Sequence, residues 1–286
     1  MAYLAENHYG KSLVRLMKVT REGARHEVHE WSVGISLCGD FEESFVEGDN
    51  ARVLPTDTMK NTVYSVARSS QATTMEDYAL ELAKFFLRRN AQVSSVQIRV
   101  EEKTWGRVEA AGREHDSAFQ QRGPERPACR VVLRRDEVPE VRAGVEGIVL
   151  LKTSRSGFSG FMRDDLTTLR ETEDRLLGTE ASIEWLYEGT ASGFDFQSIR
   201  AEMMKTLLTT FAEHESASVQ HTLYAMAEAA LGTQPFITEI SLTMPNRHCL
   251  LVDLSHFGQD NPNEIFVPTD EPHGHIYARV TRERQG

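Results

Sequence analysis

What the chain has little of narrows the field first. Its 286 residues include only three cysteines, Cys38, Cys129 and Cys249, far apart and odd in number. That argues against a disulfide framework and for a reducing, cytoplasmic setting. No stretch approaches the run of about 20 apolar residues that a membrane helix needs, so no membrane partner is expected. The opening MAYLAENHYGKS has neither a basic nor an apolar region, so no secretory signal is read there. Positive charge is also in deficit: 32 Lys and Arg against 43 Asp and Glu give a formal net charge of −11. A general nucleic-acid binder needs a basic stripe, and none is expected. A small anionic ligand stays possible, because a few local cations outweigh an average field. Generic catalytic motifs are missing too: there is no G-x-S-x-G, H-E-x-x-H, P-loop, Rossmann glycine fingerprint or C-x-x-C pair. The histidines do not cluster at ligand spacing. Neither a metal nor a nucleotide cofactor is expected.

What is present suits a globular chain with a substantial core, 40% hydrophobic and 26% charged. Its length fits two ordinary domains or one large one. One pattern occurs twice. Residues 12–20 and 26–37 read as strands, 61–69 and 75–90 as helices, and 93–102 and 129–135 as strands. Thr73 and Glu76 have capping-box spacing at the second helix. The second half repeats the order: strands at 147–154 and 181–189, helices at 196–213 and 218–231, strands at 236–245 and 249–255. This implies an α+β fold of two tandem ββααββ units, 1–140 and 141–286, each an antiparallel sheet with both helices on one face. The boundary falls in PEVRAGVEG (139–147). The polar insert 106–127 reads as a long hairpin or mobile loop. The tail after Phe257 reads as loop with a closing strand. Free sheet edges invite pairing with other chains, so closure into a multi-subunit β-barrel is expected.

In LPTDTMKNTVY (54–64), Thr56 and Asp57 read as a helix cap. Other segments also stand out: YGK (9–11), GFSGFMRDDLTTLRETEDRLL (157–177), SASVQHTLYAMAE (216–228) and MPNRHCLLVDLS (244–255). Taken singly each is ordinary. Phe158 reads as a core aromatic, Arg175 as a solvated residue in a charged helical run, Gln220 as a helix-start residue and Asn246 as a turn residue after Pro245. His248 reads as structural, and Lys11 as a surface residue near a strand start. Joined in this order, from about residue 8 to the C-terminus, the segments resemble urate oxidase (uricase), of the tunnelling-fold, or T-fold, class.

The resemblance implies roles residue by residue. Phe158 stacks on a flat purine. Arg175 and Gln220 grip its edge, with the backbones of Val219 and Asp57 adding contacts. Asn246 lies over the ring with dioxygen or water, and Thr56 faces it. Lys11, Thr56 and His248 form a proton relay. The partners implied are urate and dioxygen, with self-association into a homotetramer whose sites are shared between subunits and no cofactor. The chemistry agrees: a guanidinium is a planar, permanently charged fork that pairs bidentately with acceptor edges, and a carboxamide offers donor and acceptor together. Thr is a weak base alone, but a nearby lysine of lowered pKa would draw its proton, and histidine exchanges protons near neutrality. The ending RERQG lacks the Ser-Lys-Leu type signal of peroxisomal members, which again implies a cytoplasmic protein. Two other readings stay open. A pterin or purine enzyme of the same fold, such as a GTP cyclohydrolase or dihydroneopterin aldolase, would anchor its base with a glutamate and, for the zinc enzymes, need Cys/His ligands. A non-catalytic purine-binding protein would have no use for the relay residues.

Overall fold

A computed structural model describes residues 2–189 and 193–282. The chain packs as two compact units: the described residues of Met1–Val145 with Leu186–Gln197, and those of Glu146–Trp185 with Ser198–Gly286.

In the first unit β1 (Tyr9–Glu22) and β2 (Arg25–Gly39) form a long antiparallel pair, followed by a short helix α1 (Glu42–Val46), then α2 (Thr56–Ser69) and α3 (Met75–Arg89). β3 (Val93–Lys103) and β6 (Arg126–Arg134) complete an antiparallel sheet in the order β1-β2-β3-β6. Alternate residues face the core, as the two-residue period of a strand requires: Val33, Ile35 and Leu37, then Val96, Ile98 and Val100, then Val131 and Leu133. The helices meet that face with residues three or four apart, Met59, Val63 and Val66 from α2 and Tyr78, Leu82 and Phe86 from α3. Tyr78 ties the layers together. Its ring stacks on Trp31 of the sheet at 5.0 Å, and its hydroxyl donates to the Val63 carbonyl of α2 at 2.8 Å.

Some sequence expectations change here and others are sharpened. Helix α2 begins at Thr56, five residues before the expected start. Pro55 occupies the cap position, and its fixed φ of −56° suits the turn into the helix, so Thr56 and Asp57 lie inside the first turn and cap nothing. The cap of α3 is Thr74, not Thr73: its hydroxyl oxygen accepts from the Asp77 amide at 3.2 Å and its proton goes to the Asp77 carboxylate at 2.6 Å, while Glu76 is fully buried. The insert 106–127, expected as a long hairpin or mobile loop, is a hairpin of β4 (Trp105–Ala110) and β5 (Arg113–Gln121). Its turn residues Ala111 and Gly112 both have positive φ, the geometry of a two-residue hairpin turn. The boundary stretch 139–147 lies largely within a strand, β7 (Glu140–Lys152).

The second unit contains the latter half of β7, most of β8 (Leu177–Tyr187) and α4 (Phe196–Glu213), then α5 (Val219–Thr233), β9 (Ile237–Thr243), β10 (Asn246–Leu251), β11 (Phe266–Gly274) and β12 (Tyr277–Thr281). β9 pairs with β8 and β12, and β10 with β8 and β11. The tail is therefore strand for much of its length, and β11 answers to no strand expected from sequence. Its residues are mostly exposed, which removes the burial alternation that marks a strand. Among the described residues no helix is long and apolar enough to cross a membrane.

Leu82 is fully buried between helix and sheet. Leu82→Ala should destabilise the first unit by about 2–5 kcal/mol, read as a lower midpoint in urea titration. A midpoint equal to wild type would mean that the helix layer is not seated as described.

Candidate functional site

Each unit presents the N-terminus of a helix. The first amides of a helix have no intrahelical acceptor, and the dipole favours negative charge there. In the first unit that terminus carries Thr56 and Asp57, half-buried and exposed respectively. Asp57 receives hydrogen bonds from Lys60 at 2.5 Å and Asn61 at 3.0 Å. The Lys60 hydrogen bond and charge hold the Asp57 carboxyl below its ordinary value, and Lys11 is near enough to add to the effect. Lys11 sits on β1 where pairing with β2 slips between Lys11 and Val14, with Leu13 at a φ of +56°. Such a bulge turns side chains out of strict alternation. Gly10 allows the close approach beside it, because a Cβ there would meet the Ile35 carbonyl oxygen at 1.8 Å.

The second unit holds the remaining six residues. Residues 163–176 are not helical, contrary to the expectation for Arg175: they form an irregular loop. Three backbone stretches fix it. Phe158 and Thr172 exchange amide–carbonyl hydrogen bonds at 2.7 and 3.1 Å, and the Arg175 amide donates to Ser156 at 2.7 Å. The Gly157 amide donates to Ser216 at 2.8 Å, and that of Ser216 to Arg155 at 3.0 Å. Phe158 and Arg175 are thereby brought together, with the guanidinium carbon 5.3 Å from the ring centroid. The Phe161 ring stacks nearly parallel to Phe158, with centroids 5.0 Å apart. Both Phe158 and Arg175 are half-buried. Burial alone pulls the Arg175 guanidinium below its ordinary pKa, and its Nε is buried with no hydrogen-bond partner among the described residues. A buried donor without a partner costs about 1–3 kcal/mol, a cost that an acceptor at Nε would remove.

The same network sets α5. Ser218 caps it, its hydroxyl accepting from the His221 amide at 3.1 Å. Val219 is buried as the first helical residue and Gln220 follows it, exposed. Asn246 and His248 lie on β10, on either side of a second register slip, against β11. Asn246 opens a strand, where a turn was expected. The Thr269 hydroxyl donates to the His248 carbonyl at 3.1 Å. Among the described residues no three His, Cys, Asp or Glu side chains come together as a metal-holding group.

A family model described as uricase matches residues 7–132 and 141–277. The chain belongs to the uricase family. It is 43% identical to a uricase of Arthrobacter globiformis over 98% of this chain and 90% of that one. It is 34% identical to a uricase of Dictyostelium discoideum, over 99% and 98%. The crystal structure of the Arthrobacter globiformis uricase superposes with a TM-score of 0.94 at 41% identity, covering 100% of this chain and 97% of the other. The α+β fold of tandem units is that of the uricase family.

Some supporting residues escaped the sequence reading. Asp174, beside Arg175, accepts from the Ser156 amide at 3.1 Å. Ser216 accepts from Thr222 at 2.7 Å and donates to the Ser218 carbonyl at 3.0 Å. The signal was present in SASVQ, a serine-rich entry to a helix, but a hydroxyl gives no sign in sequence of which neighbour it serves.

The depressed carboxyl of Asp57 carries a sign. Its hydrogen bonds persist as pH falls until the folded-state pKa is passed, and their contribution is then lost. Carboxyl NMR should give Asp57 a midpoint below the ordinary value of about 3.9, and Lys60→Met should raise it. A midpoint indifferent to that substitution would remove Lys60 as its cause.

Proposed function

We propose that this chain is a urate oxidase, which oxidises urate with dioxygen and water to 5-hydroxyisourate and hydrogen peroxide without metal or organic cofactor. The observation that carries the reading is Arg175, half-buried over the Phe158 ring with its Nε unpaired. A flat anion with acceptors on its rim supplies an acceptor edge for the guanidinium and a planar face suited to aromatic stacking. The membership in the uricase family and the order of the site residues along the chain support the same substrate.

The roles are those that the resemblance implies for these residues. Phe158 stacks on the purine. Arg175 binds its edge bidentately, Gln220 binds a second edge, and the amides of Val219 and Asp57 add donors at two helix N-termini. Deprotonated urate is electron-rich, so electron transfer to dioxygen needs no cofactor; Asn246 holds the dioxygen, and later the water, over the ring. Lys11, Thr56 and His248 carry protons between substrate, peroxide and solvent. Atoms balance: urate gains one hydroxyl at C5 from water, and two electrons and two protons leave with dioxygen as hydrogen peroxide.

Purified protein mixed with urate should consume urate and oxygen together, before and after exhaustive dialysis against a chelator. Arg175→Ala should weaken urate and xanthine binding by about 2–5 kcal/mol. Activity restored only by an added metal or flavin, or an unchanged xanthine constant in the variant, would sink the reading.

The working form we propose is a homotetramer with sites shared between subunits. Lys11, Thr56 and Asp57 belong to the first unit and the other six residues to the second. Unpaired sheet edges favour association of chains. Thr56→Ala should still bind xanthine while turnover falls about 10²–10⁴-fold. Unfolded, mixed equally with Arg175→Ala and reassembled, it should regain activity towards about one quarter of wild type, since half the sites draw an intact first unit and half of those an intact second. Mixed oligomers that stay inactive would place each site within one chain.

A further inference from the structure

At the turn between α4 and α5 lies a group of basic side chains, Lys152, His214, His221 and Arg155, that the proposed chemistry does not use. Lys152 ends β7 and is 9% exposed. Its ammonium donates to the carbonyls of Phe211, at 3.4 Å, and His214. These belong to the C-terminal turn of α4 and the residue just past it, where carbonyls lack intrahelical donors and the dipole is negative. A buried lysine in that place joins the end of α4 to the strand. From His214 the chain runs four residues to Ser218, the cap of α5, and Ser216 between them bonds to Arg155 and Gly157. The turn that Lys152 holds therefore carries, at its far end, Val219 and Gln220, and touches the backbone that carries Phe158.

We propose that Lys152 is a positioning residue for substrate binding: by clamping the end of α4 it fixes the 214–218 turn and hence the placement of Val219 and Gln220. This rests on the reading of the site as a purine site. Lys152 touches no substrate, so its effect falls on binding and spares the relay.

The clamp has a sensitive neighbour. The His214 ring meets the His221 ring edge-on at 4.4 Å, and its Nε2 is buried with no partner among the described residues. His221 Nδ1 faces the Ala217 amide at 3.5 Å. Burial foremost, then His221 of α5, Lys152 of β7 and Arg155 of the following loop, holds His214 below the ordinary histidine range, with Glu215 opposing. Lys152 is itself pushed down by burial and Arg155, against Glu215 and Asp174. The sign follows. Neutral His214 is compatible with the clamp. As pH falls through its depressed pKa, a second cation forms beside Lys152 and the turn loosens.

The test compares wild type with Lys152→Met, Lys152→Arg and His214→Asn, each as purified full chain. Lys152→Met should raise the KM for urate and the inhibition constant of xanthine about tenfold, the scale of one lost charge-assisted hydrogen bond, with kcat within about twofold. Lys152→Arg, which keeps charge and donors, should recover most of the loss. Amide-exchange protection, measured without ligand, should drop across residues 214–222 in Lys152→Met. Should that variant not fold, wild type should lose the same protection and gain KM as pH falls below the histidine range, and His214→Asn should abolish that dependence. A folded Lys152→Met with wild-type KM and wild-type protection at 214–222 overturns the inference, as does an acid limb unchanged in His214→Asn. Failure of the urate reading looks different: wild type itself would leave urate and xanthine untouched, and reduced protection at 214–222 would then show a clamp serving some other ligand.

Discussion

A guanidinium held half out of water with nothing on its Nε is costly, and the second unit is arranged around keeping it there. Arg175 cannot fold away, because its amide is bonded to Ser156 and the adjacent Asp174 carboxylate holds the amide of that same serine. It cannot move far sideways, because Phe158 lies under it and Phe158 is bonded at both its amide and its carbonyl to Thr172. The cost is borne by backbone hydrogen bonds in a loop with no regular secondary structure. Anchoring both ends of the loop by backbone hydrogen bonds orders Phe158 and Arg175 before any ligand arrives, and such pre-organisation spares a ligand the cost of ordering the protein.

The first unit solves a related problem by other means. Its contribution is a helix N-terminus and one lysine, and both depend on departures from regular structure. Pro55 sets the entry to α2 without using a side chain, which leaves the Thr56 hydroxyl uncommitted to capping. The slip in β1 beside Lys11, permitted by the bare backbone of Gly10, frees that lysine from strict alternation. A second slip separates Asn246 from His248 on β10. Sheet irregularities thus fall beside three of the residues to which chemistry is assigned, as expected where a regular pleat would aim side chains only up or down.

This also explains what could be read without coordinates. Elements with a clean period were legible: the alternation of Val33, Ile35 and Leu37, and the Tyr78, Leu82 and Phe86 stripe of α3, are written in residue type because each buries one face. Of the candidate site, the identities were legible through the ordered segments that resemble one family, and the structure brings Phe158 and Arg175 together. The misreadings fell where periodicity is silent. The charged run around Arg175 looks helical in composition, but its order comes from long-range amide bonds to Ser156 and Phe158 that no local pattern announces. Thr56 looked like a cap because threonine usually is one; the proline before it had already taken the position. β11 escaped because an exposed strand has no buried face to mark it.

Polar burial ties these points together. In the second unit the buried Thr222 donates to the buried Ser216, which donates to the Ser218 carbonyl, and Lys152 satisfies the end of α4. Within the same few turns Arg175 Nε, Ser156 Oγ and His214 Nε2 are left without partners among the described residues. A fold selected for stability alone would satisfy all of these or replace them with apolar groups, since buried polar atoms without partners are costly. A ligand beside Arg175 would offer Nε the partner that the chain itself does not supply. The satisfied groups hold the turn before α5 to the loop that carries Phe158 and Arg175, and in the proposed reading the guanidinium is left for the ligand.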